Sequence, residues 1–448
     1  MTQHTNHMET MPVRSLLLRM SWPMMLSMLV QALYNLVDSM FVAQLSGEGF
    51  EALALAYPIQ TLMIALCAGT AVGINAMISR RLGEKRVEDA VQVALNGYAV
   101  CAVISVLFFL FGLTASGPFI RLFSSQPNVV AYGTQYVTIV TVCAFTVSFQ
   151  ICSERVLQAS GNSLGPMISQ ATGAVLNIIL DPLFIFGIGP FPRLEVAGAA
   201  IATVLSQFAG MLLVFFLVWR NPNLKLHFKG FRPSLTVIRD IYTIGVPAIM
   251  VQLLGTLMTL GLNKVMAFFT TNGVFILGAY FKLQSFAFMP IYGLNNGLVP
   301  VVSYNYGAKR PDRVTQAIRF ALVIAVSVMA VGAALFLLVP GLLLSFFQAN
   351  PAQMADGIPA LRMIGPSFLF AGACIIFSAA FQSVGAPRTS LLISLLRQVA
   401  LLLPAALLLG WLAPGFLWLA FPVAEILSCT LAVLCYRRVY QTKIAFSY

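Results

Sequence analysis

Long apolar segments separated by short basic loops dominate this chain and leave few folds open to it. Twelve of them lie at approximately 14–45, 51–79, 90–120, 131–158, 166–189, 196–219, 240–268, 274–304, 316–346, 357–383, 389–412 and 415–436. A helix needs roughly 20 predominantly apolar residues to cross the hydrocarbon core of a bilayer. Backbone groups in lipid must be satisfied within the spanning segment, which selects helices or closed barrels. Segments of this length select helices. Only 9% of the residues are charged, against 59% hydrophobic, whereas a water-facing surface needs about 25–35% charge. The expected fold is therefore all-α and polytopic, with twelve transmembrane helices and the lipid bilayer as its main partner. The first ten residues are polar and no small-residue cleavage site follows the first apolar run, so no cleavable signal peptide is expected. The seven cysteines lie in apolar stretches without paired spacing, which predicts reduced, buried thiols rather than a disulfide or metal framework.

The net charge of +12 is distributed loop by loop. Arg14 and Arg19 open the first span; Arg80, Arg81, Lys85 and Arg86 follow the second. Arg220, Lys225, Lys229, Arg232 and Arg239 fill the central loop, Lys309, Arg310 and Arg313 follow the eighth span, and Arg437, Arg438 and Lys443 form the tail. The alternate loops hold Arg121 and Arg193 with the acids Glu48, Glu51, Glu195 and Asp356. This is the positive-inside pattern, and it predicts a multi-pass protein with both termini cytoplasmic. A nucleic-acid partner would require a continuous basic stripe, so none is expected. The histidines, at positions 4, 7 and 227, fall outside the spans. No His-based catalytic site or resident metal is predicted, and the chain reads as a non-enzyme without a cofactor, expected to be monomeric.

The chain is also an internal duplication. Pro23, Gly83, Pro127, Gln158 and Gly161 find Pro247, Gly307, Pro351, Gln382 and Gly385, each 224 positions later. The flanking words agree, as in LFSSQPNVV against FFQANPAQM and LQASGNSLG against FQSVGAPRT. The halves, 1–222 and 223–448, each hold six spans. An even number keeps both halves in the same orientation, so they form two six-helix bundles related by a pseudo-twofold axis along the membrane normal. Transporters built this way bind substrate between the halves and expose it alternately to either side.

Polar residues inside the spans point to the site. An acid at the bilayer centre costs roughly 2.5–3.5 kcal/mol and needs a partner, a proton or a water-filled cavity. Span 1 places Gln31, Tyr34 and Asp38 on one helical face, span 5 places Asn177 and Asp181 one turn apart, and span 6 places Thr203 and Gln207 at the same spacing. Two carboxylates in a poorly hydrated pocket disfavour each other's charge, which suits a shared proton or a monovalent cation held with Asn and Thr oxygens. A hydrogen-bonded cluster that only locks helix packing is the competing reading. The positions 224 later are Leu262, Leu401 and Ala405, so the second half lacks counterparts of Asp38, Asn177 and Asp181. Its own buried charges are expected at Lys264, Lys282, Arg397 and Glu425. Glu425 has two candidate partners, Lys282 and Arg397, and a structural ion pair is as good a reading as substrate contact. Glu154 and Arg155 read as an interfacial pair at the end of span 4. Pro23 and Pro247 each remove a helix hydrogen bond and favour a kink, fixed or acting as a hinge.

At these residues the chain resembles the multidrug and toxic compound extrusion (MATE) family. The resemblance is carried by LYNLVDSMFVAQL around Asp38, GAVLNIILDPLFIFG around Asp181, GAAIATVLSQ around Thr203 and the paired LGEKR and YGAKR loops. It covers essentially the whole chain and is nearest the DinF-like and MepA-like bacterial branches. It implies a cation-coupled antiporter of the bacterial inner membrane that exports drugs or other amphipathic, often cationic organic compounds, with H⁺ or Na⁺ as coupling ion. It further implies a coupling site of Asp38, Asn177, Asp181 and Thr203, with Tyr34 and Tyr136 nearby; Gln31 and Gln150 are candidate cavity walls and Pro23 a candidate hinge. The NorM-like branch carries acids in spans 7 and 10, and here both spans lack one. A lipid-linked oligosaccharide flippase of the wider superfamily is the alternative, although the extra spans or larger basic cavity of such proteins are missing.

Overall fold

The computed structural model describes residues 7–42, 47–227 and 231–445, and the side chains of His7, Leu36, Asp38, Ser39, Met40 and Val42 lie outside that set. Ten of the described helices are long and apolar enough to cross a membrane, and two bent pairs complete twelve spans. In chain order these are span 1 (Val13–Val42), span 2 (Gly47–Gly83), span 3 (Val87–Thr114), the pair Pro127–Val142 and Ala144–Ala159 as span 4, span 5 (Leu164–Phe186) and span 6 (Glu195–Trp219). The second series is span 7 (Leu235–Phe269), span 8 (Gly273–Gly307), span 9 (Pro311–Leu338), the pair Pro351–Ile364 and Ser367–Ser383 as span 10, span 11 (Pro387–Leu412) and span 12 (Pro414–Ile444). Large apolar side chains in mid-span, among them Val103, Leu107, Val331 and Leu408, are exposed. Such a surface is stable against lipid rather than water.

The duplication is legible in backbone detail. Span 4 bends by 44° at Cys143 and span 10 by 46° at Gly365–Pro366, nearly equivalent places in the two copies. In the second copy Gly365 and Pro366 sit at the break; at the repeat offset they answer to Thr141 and Val142, neither of them a helix breaker. The bend thus belongs to the packing and not to a proline alone. Lys85 and Lys309 both adopt positive φ, 60° and 53°, in the loops after spans 2 and 8. Gly161 and Gly385 are also paired, at 91° and 71°, where glycine removes the steric penalty of that conformation. The Ser79 hydroxyl donates to the Ala159 carbonyl at 3.3 Å, and its counterpart Ser303 donates to Ser383 at the same distance.

Packing divides the residues into two compact units that exchange their leading segments. Among the described residues, one contains 26–249 and the other contains 7–25 and 250–445. The division falls just after Pro23 in span 1 and just after Pro247 in span 7, so the opening stretch of each of these helices packs within the other half's unit. Each exchanged segment rests on a pair of glycines four residues apart. In the first unit, a Cβ on Gly69 would stand 2.7 Å from Ile249 N, and one on Gly73 would stand 3.1 Å from Ile241 C. In the second, a Cβ on Gly293 would stand 2.6 Å from Met25 N, and one on Gly297 would stand 2.7 Å from Ser21 Cα. Small residues at this spacing let helix backbones approach closely in lipid, where van der Waals packing replaces the hydrophobic drive. Polar clamps fix the exchanged ends. Asn96 Oδ1 accepts the Ser234 N–H at 2.9 Å in the first unit. In the second, Arg313 donates to the carbonyls of Met8 and Met11 at 3.2 and 2.8 Å and to Asn305 Oδ1 at 2.7 Å.

Candidate cation-coupling site

Span 5 supplies the centre of the first-half cluster. Asn177 and Asp181 are one turn apart and both essentially buried, at 2% and 1% exposure. Pro182 follows Asp181 inside the helix, and Gly187, at a φ of 71°, ends it. Span 6 then starts against the end of span 5. A Cβ on Gly198 would stand 2.5 Å from the Phe184 carbonyl carbon, so only glycine admits this approach. It brings Thr203 beside Asn177.

The Asn177 amide satisfies both of its ends in one orientation. Its Nδ2 then donates to Asp181 Oδ2 at 2.9 Å and to the Tyr34 hydroxyl at 3.1 Å, while its Oδ1 accepts from the Thr203 backbone N–H at 3.2 Å. Residues of spans 1, 5 and 6 thereby meet on one amide. The Thr203 hydroxyl donates to the Ala199 carbonyl of its own helix at 2.9 Å, so this residue joins the cluster through its backbone. The Asp38 side chain lies outside the described residues. A buried acid costs roughly 2.5–3.5 kcal/mol, and a hydrogen bond to a charged group offsets about 1.5–3 kcal/mol. The Asn177 bond alone is therefore of the same order as the cost.

The other sequence candidates fall elsewhere in the first unit. The Tyr136 hydroxyl accepts from Gln60 Nε2 at 2.9 Å within an apolar cluster that includes Met63, Cys67, Phe108 and Val140. Gln31 donates to Asn35 on its own helix at 3.3 Å. Gln207 accepts from Thr146, just past the span-4 bend, at 3.1 Å. Gln150 is buried and joins Glu154. That last contact corrects the reading of Glu154 and Arg155 as an interfacial pair. Glu154 is 4% exposed and receives Gln150, Ser169 and Gln170, whereas the Arg155 guanidinium donates to Gln158 at 2.8 Å. Hydropathy had set Glu154 at the end of span 4; the bend and the close packing of spans 5 and 6 enclose it.

In the second half, Arg397 Nε lies 3.2 Å from Glu425 Oε1, with the side chains 13% and 14% exposed. This resolves the choice of partner for Glu425. Arg397 sits in a π-helical turn, Leu396–Ala400, within span 11, a device often found where a helix must re-aim a side chain. Lys264 and Lys282, expected to be buried, are both exposed. A long lysine stem carries its ammonium away from an apolar interior, and sequence spacing on a span does not reveal which face is covered.

Comparison with known proteins matches the same features. The MatE family model matches twice, over residues 23–183 and 247–407, and the two matches are offset by the repeat length. The FAD transporter of Shewanella oneidensis is 27% identical over 95% of this chain and 94% of its own. The multidrug export protein MepA of Staphylococcus aureus (strain N315) is 25% identical over 96% of this chain and 94% of its own. A solved structure described as the outward-facing conformation of a multidrug resistance MATE family transporter of the MOP superfamily superposes with a TM-score of 0.92. It is 25% identical and covers 98% of this chain and 99% of that one.

Proposed function

Since the chain belongs to the MatE family of multi-pass membrane transporters, we propose that it is an antiporter that exports amphipathic, often cationic organic compounds in exchange for H⁺ or Na⁺. The observation that carries this reading is the Asn177 amide, which links buried Asp181 to span 1 through Tyr34 and to span 6 through Thr203. Asp38 follows Tyr34 by one helical turn in span 1, the register that would bring a second carboxylate to the same face. A proton or Na⁺ arriving from outside binds this pair and removes one unit of its negative charge. The organic substrate then leaves the first-half cavity as span 1 rearranges about Pro23. Loading of the next substrate from the cytoplasm favours release of the ion. Differential affinity of the two ligands for the two states supplies the coupling. The basic loops support an orientation with both termini in the cytoplasm of the bacterial cell.

Counterflow in proteoliposomes, with pH and Na⁺ gradients imposed separately, tests the proposal. The panel should contain lipophilic cations and, because a relative is an FAD transporter, a flavin dinucleotide. Asp38→Asn and Asp181→Asn should insert and bind substrate yet lose gradient-driven exchange. Wild-type exchange in both variants would refute the assignment of the site.

A further inference from the structure

The buried network around Glu154 is a second polar centre that the Asn177 cluster does not use. Glu154 Oε1 accepts from Gln150 Nε2 at 3.2 Å and from the Ser169 hydroxyl at 3.1 Å, and Oε2 accepts from Gln170 Nε2 at 2.7 Å. All three donors are neutral. Among the described residues the charged neighbour is Arg155, adjacent on the same helix and engaged with Gln158; Tyr98 of span 3 bonds Ser153 next door, at 2.8 Å. Span 6 contributes a backbone group. The Ser169 hydroxyl lies 3.1 Å from the Gly210 carbonyl, and a Cβ at position 210 would stand 3.0 Å from Gln150 Cδ. Span 1 closes the chain: the Ser27 hydroxyl bonds Gln170 Oε1.

We propose that Glu154 is a second proton-binding site, connected to span 1 through Gln170 and Ser27. The inference goes beyond the exchange reaction proposed above and does not require Asp38 or Asp181. As drawn, the network suits an ionised carboxylate, because Gln150, Ser169 and Gln170 all donate to Glu154. It also has an alternative arrangement for the acid. When Oε1 is protonated, the Ser169 proton turns to the Gly210 carbonyl and its oxygen accepts from Glu154. When Oε2 is protonated, the Gln170 amide turns over, presenting Oε1 to Glu154 and Nε2 to Ser27. Ser27 then becomes an acceptor, and its proton seeks the carbonyl one turn back in its own helix. That carbonyl belongs to Pro23. Back-bonding of a serine to the i−4 carbonyl bends helices, and here it falls on the turn that directly follows the one Pro23 has already weakened. One proton at Glu154 is thus read out as a change in the bend of span 1.

The test uses the full-length protein in nanodiscs, with infrared difference spectra between acid and neutral pH and the emission of Trp22, which is exposed on span 1. For the fluorescence Trp219, Trp411 and Trp418 are replaced by Phe and Asp38 and Asp181 by Asn, so that span 1 answers to Glu154 alone. Glu154→Gln should remove one protonated-carboxyl component and reduce the pH-dependent Trp22 amplitude at least threefold. Ser27→Ala should keep that component and lose the Trp22 response; it provides the second test should Glu154→Gln unfold. Asp38→Asn with Asp181→Asn should keep the Glu154 component even where exchange is lost, so the two proposals fail separately. An unchanged infrared difference in Glu154→Gln, or a wild-type Trp22 response in Ser27→Ala, overturns the inference.

Discussion

Replacing Gly297 with alanine places a methyl group where the backbone of span 1 already lies. The new Cβ would stand 2.7 Å from Ser21 Cα and 2.8 Å from Ser21 N, whereas ordinary contact begins at 3.4 Å. The two backbones must separate by about 0.6–0.7 Å over this contact, and neither clashing atom belongs to a flexible side-chain end. Overpacking of this kind costs typically 1–3 kcal/mol. Alanine returns up to about 1 kcal/mol through its higher helix propensity. The clash wins, and a net loss of about 1–2 kcal/mol is expected. Gly278 is the internal control. It lies in the same helix with nothing within 4 Å of an added Cβ, so Gly278→Ala should leave stability unchanged or raise it. Thermal unfolding in detergent, followed by a thiol-reactive fluorophore, suits this protein because Cys67, Cys101, Cys152 and Cys374 are free and buried. A 1 kcal/mol loss shifts the midpoint of a 150–250-residue domain by about 2–4 °C. The expected order of midpoints is Gly278→Ala at or above wild type and Gly297→Ala several degrees below. If Gly297→Ala matched Gly278→Ala, the glycine seat would not be a packing requirement.

Gly69→Ala, at the equivalent seat in the first unit, should lower the midpoint similarly, since its Cβ would meet Ile249 N at 2.7 Å and Cα at 2.9 Å. Arg397→Met leaves Glu425 buried without its cation and should cost about 3–5 kcal/mol; adding Glu425→Leu should recover most of that loss in the same assay, and additive losses would refute the pairing. Asn96→Ala removes the acceptor for the Ser234 N–H and should destabilise by about 1 kcal/mol, detectable as faster amide exchange at the start of span 7. Lys309→Gly should be neutral or stabilising by up to about 1 kcal/mol, because glycine adopts its positive φ without strain; a clear loss of midpoint would contradict the turn geometry.

The spans and the repeat could be read from the chain because both rest on one-dimensional signals: apolar length, basic loops and prolines at a constant offset. Asn177 and Asp181 were equally legible, since their spacing fixes them on one face of one helix. What remained hidden depends on neighbours. Cys143 gives no warning of the span-4 bend, and without that bend Glu154 looks like an end-of-helix acid. Lys264 and Lys282 lie in apolar runs like Arg397, yet only Arg397 is turned inward, through a π-helical turn that periodicity assumes away. Thr203 was expected to offer its hydroxyl and instead offers its backbone N–H to Asn177. The glycine seats at 69, 73, 293 and 297 are visible only when the opposing backbone is in place.

The exchanged leading segments bear on how such a chain is inherited and synthesised. A ribosome finishes spans 2 to 6 before residues 235–249 exist, so the seat at Gly69 and Gly73 stays empty until span 7 emerges. Residues 7–25 wait in turn for Gly293 and Gly297. Severing the chain in its central loop would yield two fragments, each holding the other's missing piece, that regain their packing only when made together. A single-copy ancestor with this packing would have been an intertwined pair. Fusion of such a pair would convert a partnership between molecules into one within a molecule, and would let one copy keep its acids while the other does without them.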